Sequence, residues 1–261
     1  MTESVTDLKA LLHHPRFPRS TKYDPQWIKE GLMGPSALWL TEWLCEALDL
    51  RPGMRVLDMG CGRAMSSIYL AREFGVQVWA NDLWIKPTEN WQRIQAAGVA
   101  DRVFPIRAEA HQLPYAHGFF DAIVSVDAYH YFGTDDTYLP NHLAPLAKRG
   151  APIAIVVPGL MREFETDADR ERLLTRARWD GGDIMTVFHT AAWWQRHWQR
   201  SRCVDVQRAE ALEDGWKFWV SSDLAWHGDD PESQMLREDA GHYMGLVRIV
   251  ARTLGAEGRP S

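Results

Sequence analysis

Two carboxylates and two glycines carry most of the chemistry that can be read along this chain. In the run Gly53-Met54-Arg55-Val56-Leu57-Asp58-Met59-Gly60-Cys61-Gly62, an apolar segment ends in Asp58 and a turn holding Gly60 and Gly62 follows. Glycine lets a backbone approach a ligand closely, and a carboxylate just before such a turn attracts a cation. The ligand this suggests has a positive end and needs no pyrophosphate cradle. Asp82 stands twenty residues beyond Gly62 at the end of a second apolar segment. A carboxylate there can accept hydrogen bonds from both hydroxyls of a ribose. Leu83 and Trp84 follow, placed to pack on an adenine face. The next block, Ala108-Glu109-Ala110-His111-Gln112-Leu113-Pro114-Tyr115, offers the Glu109 carboxylate to an amino group and the Ala110 N–H to a ring nitrogen.

The elements that must position these residues follow from periodicity. The pattern predicts strands over 55–58, 76–80, 102–107, 122–126 and 152–157, separated by helices over 64–74, 87–97 and 136–148. Short apolar strands alternating with amphipathic helices indicate a parallel sheet covered on both faces. A helix over 3–13 and one opening at Ser36 precede it. Helices over 160–180, 191–200 and 214–240 (interrupted near Gly228 and Pro231) and strands over 203–209 and 245–252 follow. The segments 160–190 and 213–241 exceed a minimal alternating fold, and with residues 1–35 they are expected to cover the site, as insertions beyond strand ends often do.

Taken together, the blocks at Asp58/Gly60/Gly62, Asp82, Glu109/Ala110/Leu113/Pro114/Tyr115 and Phe119–Val126 resemble the class I S-adenosylmethionine-dependent methyltransferases, strongly from Gly34 to Val157 and thinly beyond. The resemblance implies a Rossmann-like α/β fold: a seven-stranded, mostly parallel sheet with helices on both faces and helical lid insertions at each end. It implies one domain over 1–261, with a lid over 1–35, a cofactor core over 36–158 and substrate-side elements over 159–261. It implies S-adenosylmethionine as cofactor, held by Asp58, Gly60, Cys61, Gly62, Asp82, Leu83, Glu109, Ala110 and Val126. Gly34-Pro35-Ser36 looks like the lid piece of some relatives. A dinucleotide fold shares the strand, turn and distant acid but wants a third glycine, where this chain has Met65.

Methyl transfer from a sulfonium needs alignment, exclusion of water and, for a protic nucleophile, a base. No metal is required. The segment Asp127-Ala128-Tyr129-His130-Tyr131-Phe132 leaves the fourth strand where this fold places substrate, so Asp127 and His130 are the candidate bases. The resemblance also gives His130 a structural role in the cofactor pocket. His189 is a further, weaker candidate. His13 and His14 lack partners at ligand spacing and read as surface residues.

The acceptor is expected to be a small organic molecule, apolar or aromatic, methylated at oxygen, nitrogen or carbon. Thirteen tryptophans fit either a Trp-rich core or an aromatic wall around that acceptor. The net charge of −6 is spread among scattered basic residues, which disfavours a nucleic-acid partner. Arg162, Arg170, Arg172, Arg176 and Arg178 interleave with Glu163, Glu165, Asp167, Asp169 and Glu171, the pattern of a solvated, ion-paired helix face. No apolar run is long enough to span a membrane. No signal peptide is apparent, and three distant cysteines, Cys45, Cys61 and Cys203, fit a reducing cytoplasm. Competing readings are a macromolecule methyltransferase, a non-catalytic cofactor-binding protein and methylation of a lipid chain.

Overall fold

The computed structural model describes residues 5–177 and 186–254. Helices α1 (Val5–Leu12), α2 (Pro25–Gly31) and α3 (Ala37–Cys45) lead into the alternating core. The core runs β1 (Arg55–Met59), α4 (Met65–Phe74), β2 (Gln77–Asp82), α5 (Pro87–Ala96), β3 (Val103–Arg107), β4 (Ala122–Val126) and β5 (Pro152–Leu160). It closes with α6 (Asp167–Ala177), α7 (Ala191–Arg200), β6 (Val204–Ala211), α8 (Gly215–Trp226), α9 (Pro231–Asp239) and β7 (Met244–Thr253).

The seven strands form one sheet in the order β3-β2-β1-β4-β5-β7-β6. The first five are parallel, and β7 runs antiparallel between β5 and β6. Side chains alternate across each strand. Val56, Val78, Val124 and Val156 face a cluster with Ile68 of α4, Ile94 of α5 and Trp219 of α8. Leu57, Ile123, Ile155 and Ile249 face the opposite cluster, built on Tyr138, Leu143 and the α7 residues Trp194 and Trp198. Parallel neighbours need crossover connections. Chain order reverses between β1 and β4, so a crevice opens there at the carboxyl ends of the strands.

Two expectations change. The helix expected over 136–148 is absent; a short π-type turn at Leu139–Leu143 and a 3-10 turn at Ala144–Leu146 take its place. Pro140 and Pro145 explain this, since each removes an amide donor and crowds the preceding turn. The crowded tryptophans are core: Trp194, Trp198 and Trp219 are buried. On the charged helix α6, Arg172 pairs with Asp169 at 3.0 Å and Arg176 pairs with Glu238 of α9. Of the helix expected over 160–180, residue 160 ends β5, residues 161–166 form bends and irregular backbone, and residues 178–180, Arg178 among them, lie outside the described residues.

Candidate active site

The crevice at the β1/β4 switch point holds a cavity of about 290 Å³, near the lower end for small-ligand sites. Its floor is the glycine turn after β1. Gly60 has φ +74°, and a Cβ there would lie 2.3 Å from the Ala128 Cβ after β4. Only glycine lets the two strand-end loops meet this closely.

The turn is fixed from within. The N–H groups of Gly60 and Cys61 donate to the Asn81 carbonyl at 2.8 and 3.0 Å. The Gly62 N–H donates to Asp82 Oδ2 at 2.8 Å, and Asn90 Nδ2 donates to the Gly62 carbonyl at 2.8 Å. All three amides are therefore committed inside the protein. A pyrophosphate cradle needs such amides free, so this turn does not suit a dinucleotide. The N-terminus of α4 carries no side-chain cap, and Arg63, Met65 and Ser66 around it line the cavity. Its unpartnered end favours an anionic group such as a carboxylate.

Asp82 lines the cavity. Beyond the Gly62 amide, its Oδ1 accepts from the Trp84 and Ile85 N–H groups at 2.7 and 2.9 Å. A carboxylate has about four acceptor positions, so about one remains for a ligand hydroxyl, where two were expected. Glu109 and Ala110 lie in the wall, as do Cys61, Leu83 and Val126. The Glu109 carboxylate is bound to His111, at Nδ1 (2.8 Å) and at the backbone N–H (2.9 Å). The His111 side chain leads in holding its pKa below the ordinary value.

Asp58 is the one expected cofactor residue that does not line the cavity. On the same face of β1 as Val56, it meets the first turn of α4, where Ser66 and Ser67 hydroxyls donate to Oδ2 at 2.6 and 2.5 Å. Burial pushes its carboxyl up to about 6, opposed by those two hydroxyls and assisted by the charge of Asp82. Its Oδ1 is buried without a partner. A ligand in the cavity meets the glycine turn rather than this carboxylate.

The two candidate bases separate. Asp127 lines the cavity in the left-handed region, at φ +54°, a conformation aspartate tolerates at local cost. Burial first, then the charge of Glu232, holds its carboxyl well above the ordinary range. His130 is 1 % exposed and absent from the wall, packed edge-on against Phe188 at 5.5 Å. Burial lowers its pKa to about 3. Its imidazole is therefore expected to stay neutral from pH 5 to 8, and its NMR ring shifts to show no titration there. A midpoint near the ordinary histidine value would place the ring in contact with solvent. His189 also lies outside the wall, stacked on Trp193 at 3.5 Å.

Part of the wall comes from the N-terminal segment from which a cover was expected. Gly31, Met33, Gly34 and Pro35 line the cavity, tied down by Arg63 Nη1 donating to the Glu30 and Leu32 carbonyls at 2.7 and 3.0 Å. Among the described residues, none from 160–190 or 213–241 lines this cavity. The cavity's aromatic rim comes instead from Trp84 (65 % exposed) and Tyr131 (51 %), in edge contact at 5.4 Å.

The family model of a methyltransferase domain matches residues 56–150. Methyltransferase GfsG of Streptomyces halstedii is 29 % identical over 159 residues, 59 % of this chain and 54 % of that protein. The 27-O-demethylrifamycin SV methyltransferase of Amycolatopsis mediterranei (strain S699) is 32 % identical over 138 residues, 51 % of this chain and 50 % of that protein. The chain thus spans about half the length of these curated relatives. A solved structure of geranyl diphosphate methyltransferase in complex with SAM superposes with a TM-score of 0.68. It covers 94 % of both chains at 15 % identity, a likeness of fold alone. The matched segment contains the glycine turn, Asp82, Glu109 and Asp127 of the cavity, so the part of this chain that lines the cavity is similar to the methyltransferase domain of S-adenosylmethionine-dependent methyltransferases.

Proposed function

We propose that this protein transfers a methyl group from S-adenosylmethionine to a small organic molecule at oxygen, nitrogen or carbon, in specialised metabolism. One observation carries the reading. A single cavity gathers Asp82, Glu109 and Ala110 around a glycine turn whose amides are all used internally. That donor set fits a nucleoside with a cationic sulfur better than a dinucleotide. The bound cofactor supplies an activated methyl group.

The chain's own residues do the remaining work in this reading. Asp82 takes one ribose hydroxyl while keeping the turn in place. Glu109 and Ala110 take the adenine edge, with Leu83 against its face. The open end of α4 takes the carboxylate of the methionine part. Gly60, Cys61, Gly62 and Val126 shape the floor, and Asp127 accepts a proton from the acceptor. Met33, Gly34 and Pro35 close one side against water.

Calorimetry with S-adenosylhomocysteine tests the first half of this reading. One molar equivalent should bind, and NAD should not compete. Binding of NAD with no affinity for S-adenosylhomocysteine overturns it. An extract-wide methyl-transfer assay with labelled cofactor tests the second half. Label should enter small molecules; label only in protein or RNA would favour a macromolecular acceptor.

A further inference from the structure

A second cavity opens at the opposite edge of the sheet, where the parallel strands begin. Met54 just before β1, Asp121 just before β4 and Pro152 at the start of β5 all line it. The five residues of β1 separate Met54 from Gly60, which puts the two cavities roughly 20 Å apart. This one measures about 620 Å³, against about 290 Å³ for the crevice at the glycine turn, and falls well within the range of small-ligand sites.

Its wall is charged to one side. Among the described residues, Arg51, Lys148, Arg149, Arg208 and Arg252 bring cations to it, and Asp49 and Asp121 are its only carboxylates. Asp49 pairs with Arg51 at 2.5 Å, and Asp121 pairs with Lys148 and, at 3.8 Å, with Arg55. Five cations against two carboxylates leave three positive charges in excess, on a chain whose net charge is −6. The rest of the wall includes the apolar Leu48, Met54, Ala151 and Val250.

The backbone aims two of these cations. β6 carries a bulge: Val206 pairs with Ala251 and Arg208 with Val250, leaving Gln207 as the extra residue. Val206 and Ala209 pack on the cluster of Trp194 and Trp198, while Gln207 and Arg208, consecutive in sequence, both line the cavity. A regular strand would send one of the two to the other face, and bulges commonly re-aim a side chain in this way. Because Arg208 stands opposite Val250, Arg252 is its diagonal cross-strand neighbour, roughly 7 Å away. Arg252 Nη1 donates to the Gly150 carbonyl at 2.8 Å, which holds the guanidinium in place with one of its five N–H donors. Arg208 meets Glu210 Oε1 only at 3.9 Å, and that oxygen already accepts from Arg248 Nη2 at 2.6 Å.

We infer that this cavity is a ligand site for an organic phosphate, its phosphoryl group on Arg208 and Arg252 and its apolar body against Leu48, Met54 and Val250. Guanidinium groups match phosphate oxygens in planar, forked pairs. A concave, partly apolar wall favours a molecule with a body over a bare ion. The site stands apart from the crevice at the glycine turn and does not depend on the methyltransferase reading.

Calorimetry on the full chain tests this, with and without saturating S-adenosylhomocysteine. The probes are 1-naphthyl phosphate with 1-naphthol, hexyl phosphate with hexanol, and inorganic phosphate. In at least one series the phosphate ester should bind at one molar equivalent, about tenfold or more tighter than both its alcohol and inorganic phosphate. S-adenosylhomocysteine should make no difference to it. Arg208→Gln and Arg252→Gln should each weaken that binding about tenfold, the loss of a charged hydrogen bond. Arg196→Gln, on α7 outside this wall, should leave it within twofold. Each variant should keep the wild-type melting temperature, since all three arginines are exposed. Equal weakening by all three substitutions would reduce the effect to general attraction and overturn the inference. So would a preference for the ester in neither series, binding that S-adenosylhomocysteine displaces, or an affinity unmoved by Arg208→Gln and Arg252→Gln.

Discussion

Asp82→Ala is expected to weaken S-adenosylhomocysteine binding by roughly 100-fold or more, and to lower the melting temperature as well. The wild-type carboxylate accepts from the Gly62, Trp84 and Ile85 amides, at 2.8, 2.7 and 2.9 Å. A hydrogen bond to a charged group contributes about 1.5–3 kcal/mol, and one such bond to a ribose hydroxyl accounts for about a tenfold to hundredfold change. Alanine also strands three amide donors and frees the glycine turn that forms the cavity floor, which adds to the loss. Asp82→Asn separates the two contributions. Its amide oxygen can still serve Trp84 and Ile85, while its NH2 faces the Gly62 donor, so an intermediate loss of about tenfold is expected. Calorimetry on both variants reads the result. Wild-type affinity in Asp82→Ala would remove Asp82 from the cofactor site.

The second large effect is on stability. Burial first, then the charges of Glu232, Asp230 and Asp127, raise the Asp223 carboxyl to about 9, against an unfolded value near 3.9. Between these values the folded state holds a proton that the unfolded chain has released. Stability contributed by this group is therefore fully present below about pH 4 and falls as pH rises toward 9, by up to about 1.4 kcal/mol per pH unit. Even half of that shift amounts to about 3 kcal/mol at the alkaline end. Asp223→Asn removes the titration and nearly preserves the shape. Its melting temperature at pH 8 should exceed the wild type's by about 6–12 °C, and the gap should close toward pH 4. Thermal scans across that range decide it. Parallel curves would show that Asp223 is solvated in the folded state.

Much of the cavity lining was legible because it depends on short-range chemistry. Gly60 and Gly62 mark a turn, Asp82 ends a strand, and Glu109-Ala110 opens the loop after the next one. In a parallel sheet all such strand ends lie on one edge, so local order along the chain becomes proximity in space. The core was legible too, because alternating apolar residues leave β1, β2, β4 and β5 few arrangements. The helix expected over 136–148 failed because amphipathic spacing was given more weight than Pro140 and Pro145.

The sequence by itself determined the sheet, the edge where the cavity opens and the class of cofactor. Only the tertiary structure decided which acid does what. Asp58 and Asp82 look alike in sequence, yet one is sealed under α4 and the other opens on the cavity. His130 and Asp127 are three residues apart, yet only Asp127 reaches the wall. Asp223 carried no signal at all, because its raised carboxyl comes from burial and from acids near it in space, Asp127 about a hundred positions earlier among them. The reason is physical: a side chain's charge state depends on its desolvation and on neighbours in space, and neither is written in the order of residues along a chain.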